Sequence, residues 1–163
     1  MILDRSLCFD GGDNNTFAAI TVTRDSTDVI DVGISGQIGN GRDMGVGYDL
    51  QLLVLSNRLF AGGTSVQISF QGAPDNGSGG QGTYTTYAQT PAITLAQLNT
   101  LPGMLFPIVL PRPPFGGGLA LPRFYKLNYT VVGTFSAGAV LAHLLLNRED
   151  SIQYPSALNV ANV

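Results

Sequence analysis

The 163 residues contain no tryptophan and only one cysteine, Cys8, one histidine, His143, one lysine, Lys126, and one glutamate, Glu149. A single thiol excludes an intrachain disulfide, and one thiol with one imidazole cannot complete a four-cysteine or mixed cysteine–histidine zinc site. A lone histidine also starves a cupin-like metal centre, and a lone lysine leaves no Walker-type phosphate clamp. Charge is scarce as well: Asp, Glu, Lys and Arg make up 12%, about half the usual quarter. With eight basic residues and a net charge of −3, the chain lacks the clustered positive charge that a nucleic-acid backbone requires. The longest apolar stretch, Ala137 to Leu146, holds Gly138 and His143 and is about half of what a bilayer span needs. No basic segment followed by an apolar run opens the sequence, so neither a signal peptide nor a membrane partner is expected. The sequons at Asn14, Asn76 and Asn128 are then unused, and the protein is expected to be made in a cytoplasm.

Present instead are 44% hydrophobic residues, 21 glycines and nine prolines, with aspartate far outnumbering glutamate. Turns favour Gly, Asp, Asn and Pro, whereas helices favour Glu, Lys and Ala, so many short strands joined by turns are expected. Thr16 to Thr23 and Thr27 to Ile34 read as a hairpin around a polar turn at Arg24-Asp25-Ser26. Gly36 to Gly47 is too glycine-dense for the interior of any element. Asp49 to Ser56 and Thr64 to Gln71 are the next strands. In the second, Val66, Ile68 and Phe70 alternate with polar residues, as one buried and one wet face require. Gly72 to Gly82 is a flexible connection to a more polar strand, Thr83 to Gln89. Ile93 to Leu101 carries a helical spacing, with Thr94 placed to cap it. Leu105 to Leu110 is a short strand containing Pro107, and a proline-rich bend follows at Pro111 to Gly118. Arg123 to Val132 and Ala139 to Leu146 are the last strands, joined through Gly133 to Gly138.

About eight strands and one short helix, with no long helix for parallel crossovers, specify an all-β fold. The natural closure is an antiparallel β-sandwich of jelly-roll or Greek-key type. Residues 1–146 form this domain. Asn147 to Val163 then changes character, with Ile152, Tyr154, Leu158, Val160 and Val163 spread among small polar residues. It is either a frayed tail or an extended arm that lies on a neighbouring subunit.

Chemistry is thinly represented. His143 falls inside the most apolar strand, where a core or interface role is expected, and Gly133 to Gly138 has one residue too many for a nucleophile elbow. The glycine loop at residues 36 to 45 fits neither dinucleotide nor triphosphate fingerprints. Asp10 and Asp13 have the ligand type for calcium without EF-hand spacing, and they read as turn residues. No enzyme activity, cofactor or metal is therefore expected, and a domain of this kind acts through its surface. So low a charge suits a protein that spends its life in contact with others, because interfaces lose charge at their centres. Aromatics in loops and tails, Phe115 and Tyr154, are the contact candidates.

Several short segments carry a resemblance. Met1 to Asp4, Ser26 to Asp31, Gly41-Arg42-Asp43-Met44-Gly45-Val46-Gly47, Leu121-Pro122-Arg123, Tyr125, Tyr129-Thr130-Val131 and Phe135-Ser136-Ala137-Gly138 run in order along residues 1–146. Together they resemble the small jelly-roll cement, or decoration, proteins of tailed bacteriophage capsids, especially short-tailed ones. The resemblance implies a virion protein on the outer surface of an icosahedral shell, bound to major capsid protein and to other copies of itself. It implies no catalytic residues. On that reading Arg42 and Asp43 are the first candidates for capsid contact, followed by Arg112 with Phe115 and the arm bearing Ile152, Tyr154 and Leu158. A rival from another class is a carbohydrate- or small-ligand-binding jelly roll that uses Tyr84 and Tyr87 as a platform.

Overall fold

The computed structural model describes residues 7–11, 19–33, 50–100, 104–108 and 122–145. Their strands are β1 (Cys8–Asp10), β2 (Arg24–Asp25), β3 (Ile30–Asp31), β4 (Leu50–Gly62), β5 (Ser65–Ala73), β6 (Thr85–Gln89), β7 (Ile93–Thr94), β8 (Met104–Ile108), β9 (Phe124–Val132) and β10 (Phe135–Leu145), with one helix, α1 (Leu95–Thr100). One sheet has the order β1-β10-β4-β8 and the other β2-β9-β5-β6. β3 shares the β2 edge of β9, because the other edge of Phe124 and Tyr125 is taken by β5. By the same argument β7 shares the β6 edge of β5.

The ten strands thus fill eight positions, wound 1-8-3-6 in one sheet and 2-7-4-5 in the other, with every pairing antiparallel. This is jelly-roll winding, in which successive strands alternate between sheets except for the paired fourth and fifth, and close the sandwich with two Greek keys.

The alternation in β5 drives the closure. Val66, Ile68 and Phe70 are buried, and across the pairing so are Leu127 and Tyr129 of β9. From the opposite sheet Phe9, Leu52, Val54, Val140, Ala142 and Leu144 complete one core. Phe9 meets Phe70 edge to face across the two sheets at 6.1 Å, and Phe70 stacks on Tyr125 at 5.4 Å. Fully burying one such aromatic residue contributes roughly 1.5–3 kcal/mol, so this column is a main source of stability. Ser65 and Ser69 are buried too. Ser65 sits between Thr94 and Val132 and Ser69 between Gln89 and Asn128, so neighbours on both sides cover the face expected to be wet.

Three expectations are corrected. Arg24 and Asp25 are not the turn of a hairpin; they pair with Tyr129 and Asn128, and β2 and β3 lie end to end along β9 rather than beside each other. β4 runs past Ser56 to Gly62, its polar stretch accommodated by register shifts against β10. The joint between the last two strands is only Gly133-Thr134, and it carries the backbone from one sheet to the other. Gly133 turns there with φ 80°, and at Gly138, φ 139°, a Cβ would fall into the Phe60 ring.

The remaining elements follow the sequence. Thr94 caps α1 reciprocally: the Gln97 side-chain oxygen accepts from the Thr94 N–H at 2.9 Å, and the Gln97 N–H donates to the Thr94 hydroxyl at 3.4 Å. β8, with Pro107, lies at a sheet edge, where a missing N–H is tolerated. Urea unfolding should separate these contributions: Phe70→Ala is expected to cost about 3–5 kcal/mol and Thr94→Ala about 1 kcal/mol. Equal losses would contradict a core built on the aromatic column.

Candidate functional site

The contact candidates Arg42, Asp43, Arg112, Phe115, Ile152, Tyr154 and Leu158 all lie outside the described residues, as does the arm from Asn147 onward. The domain body that would present them is described, and most of its charged side chains fall into three ties between elements.

The first tie is buried. Asp10, with no exposed surface, accepts from Arg24 Nη2 at 3.2 Å, from the Thr27 N–H at 3.2 Å and from the Thr27 hydroxyl at 2.6 Å. Arg24 also donates to the carbonyls of Ala19 and Asp25, and its guanidinium lies 5.1 Å from the centre of the Tyr129 ring. Burial, followed by the charge of Asp10, pushes the Tyr129 phenol well above its ordinary value of 10. β1 of one sheet is thereby fastened to β2 and β9 of the other. Removing one member would leave a buried charge uncompensated, at a cost of several kcal/mol.

The second tie is bidentate. Arg123 Nε and Nη2 donate to the two carboxylate oxygens of Asp31 at 2.8 Å each, while Nη1 donates to Asp75 Oδ2 at 2.5 Å. The guanidinium also lies over the Phe124 ring. Asp31, followed by Asp75, holds Arg123 protonated well beyond its ordinary range. Asp75 in turn sits below its ordinary 3.8, first through the Gly79 N–H and then through Arg123.

The third tie lies on the outer face of the second sheet. Lys126 Nζ donates to Asp25 Oδ2 at 2.6 Å and Asn128 Nδ2 to Asp25 Oδ1 at 2.8 Å. Partial burial raises the Asp25 carboxyl, but Asn128 and Lys126 outweigh it and the net shift is downward.

Tyr84 and Tyr87 sit in different surroundings. The Lys126 ammonium lies 4.0 Å from the centre of the Tyr84 ring, and the Tyr84 hydroxyl bonds to Gln81. Tyr87 is exposed, with its ring edge over Gly72, where a Cβ would collide with it. His143 is buried in β10, directly opposite Cys8 and Leu53. It stands on the face away from the main core, to which its neighbours Ala142 and Leu144 on this strand contribute.

Among the described residues no group of three or more His, Cys, Asp or Glu could hold a metal ion, and no helix is long and apolar enough to cross a membrane. Exposed apolar side chains include Val22, Leu59 and Val132. Val22 and Val132 share one end of the sandwich, where the Thr23 hydroxyl accepts from the Val131 N–H at 2.9 Å. Asp10, Asp31, Asp75 and Arg123 were not singled out in the sequence as partners. Their only signal there was a preference for Asp beside turns, which does not say which arginine each one meets.

The ties predict an acid dependence. A carboxyl held below 3.8 contributes stability that is complete above that pH and is lost as pH falls through its lowered folded value. Melting curves of the wild type and Asp75→Asn should therefore differ at pH 6 and converge below pH 3.8. A gap that widened on acidification would contradict the assignment.

Comparison with known proteins agrees with this architecture in extent. No curated protein matches the sequence. The Bbp16 family model matches residues 15–144, most of the chain and nearly the whole jelly roll. The chain belongs to the Bbp16 family, a phage-associated protein family.

Proposed function

We propose that the protein is a capsid cement protein, which binds the outer surface of an icosahedral phage shell and stabilises contacts between major capsid protein subunits. The observation that carries this reading is the family match across residues 15–144, which joins a phage-associated family to a jelly roll. The three ties support it, because they hold short strands and a loop to the body without drawing on a partner. A shell under outward pressure gains from a rigid body that contacts two or more subunits, since that interface must break before the subunits part. Symmetry multiplies a small gain per site, and links among cement copies would add avidity. The scarcity of charge suits a surface that is covered after assembly.

In this reading the role is structural rather than catalytic and needs no cofactor. The partners are major capsid protein and further copies of the same protein, with no nucleic acid and no membrane. The protein is made in the host cytoplasm and resides on the outside of the virion. Arg42, Asp43, Arg112 and Phe115 supply contacts from the body, and Ile152, Tyr154 and Leu158 supply them from the arm.

The test is sedimentation of the protein with matching empty shells, followed by heating of the shells with and without it. Saturable co-sedimentation and a raised disruption temperature are expected, and no binding at micromolar concentration would overturn the proposal. Deleting Asn147 to Val163 should leave a folded β-rich protein that binds shells more weakly. Undiminished binding would remove the arm from the contact set.

A further inference from the structure

The loop at residues 74–82 contains an arrangement that the cement reading does not use. Asn76 precedes Gly77, and glycine leaves the backbone nitrogen of residue 77 sterically open to the Asn76 side chain. The loop returns on itself, with the Asn76 N–H donating to the Gly80 carbonyl at 3.0 Å and Asp75 bridged to Gln81. Inside it the Asn76 Oδ1 accepts two backbone N–H bonds, from Ser78 at 2.8 Å and Gly80 at 3.1 Å. Beside them the Gly77 N–H donates to Asp75 Oδ1 at 2.7 Å.

These are the parts of an acyl-transfer site assembled on one asparagine. The Gly77 nitrogen is the nucleophile, and the Asp75 carboxylate is placed to take its proton. The Ser78 and Gly80 N–H groups are placed to hold the negative charge that develops on Asn76 Oδ1. Asp75 is fixed for this by Arg123 on its other oxygen and by the Gly79 N–H at 3.0 Å. Glycines with φ 87° at residue 77 and 81° at residue 79 keep the N–H groups converged.

We propose that Asn76 is a self-modification site, at which the loop converts its own asparagine through a cyclic imide to aspartate and isoaspartate. In the first step a bond forms between the Gly77 nitrogen and Asn76 Cγ while the bond from Cγ to the amide nitrogen Nδ2 breaks. The Gly77 nitrogen gives its proton to the Asp75 carboxylate, which passes it to solvent, while the departing nitrogen takes a proton from solvent water and leaves as ammonia. Water from the solvent then opens the imide at either carbonyl. Both products place a new carboxylate next to Asp75, and isoaspartate also lengthens the backbone by one carbon. The bonds that close the loop on Gly80 cannot all survive that insertion, so the conversion releases the loop from its folded geometry.

The experiment incubates the purified protein at neutral pH, folded and in urea, and follows the peptide containing Asn76 by mass spectrometry and isoaspartate-specific labelling. The low basicity of the Asp75 carboxylate and the restraint the fold imposes on the backbone both limit the assistance, so conversion several-fold faster in the folded protein than in urea is expected. Asp75→Asn keeps an acceptor for the Gly77 N–H but lacks the base, and it should lower the folded rate toward the urea rate. Circular dichroism of the variant confirms that it has folded. Slower conversion in the folded protein than in urea would overturn the proposal, as would a folded Asp75→Asn variant that reacts at the wild-type rate.

Discussion

Strand β9 has to be held on both edges, and only one edge is held by an extensive backbone ladder. β5 pairs with it from Phe124 to Val132, whereas the opposite edge is met by two pieces of two residues each, β2 and β3. So few backbone bonds would fray without help, because ordering each residue costs roughly 1–2 kcal/mol of conformational entropy. Side chains make up the difference. Arg24 and Asp25 fasten β2 to Asp10 and Lys126, and Asp31 fastens β3 to Arg123. Three of the four lysine and arginine side chains among the described residues are engaged in these ties.

The three ties differ in energetic character. Those of Asp25 and Asp31 involve carboxylates that are 47% and 43% exposed, so solvent screens them and geometry matters more than charge. The Asp10 tie is different because its carboxylate is fully buried and joins the edge strand of one sheet to the edge strand of the other. It fixes how the sheets close at that margin, and the Phe9–Phe70–Tyr125 column, which starts on the same edge strand, packs the two sheets against each other. The two sheets are thus joined by side chains at the margin as well as through the core, which suits the proposed role.

Much of this fold was legible in the sequence, for physical reasons. The period-two pattern of β5 and the apolar runs of β9 and β10 marked strands, and Thr94 ahead of a helical apolar spacing marked a capped helix start, because each signal is local. What failed was long range. Arg24-Asp25 resembles a turn in isolation and becomes a strand only because Asp10 and Lys126, distant in sequence, neutralise its charges. The extension of β4 beyond Ser56 was hidden for a similar reason: polar residues there are carried by register shifts against β10 that no local pattern announces. The contact candidates rested on loop position and on resemblance, and they lie outside the described residues, so the fold positions the body behind them and not the contacts themselves.

The proposed role places this jelly roll on the outside of a phage shell. Its most direct test is an electron cryomicroscopy reconstruction of matching shells saturated with the protein. Jelly-roll density is expected on the outer surface, spanning the boundaries between adjacent major capsid protein subunits. Density confined to the shell interior or to the portal vertex, or a lattice left bare, would contradict it.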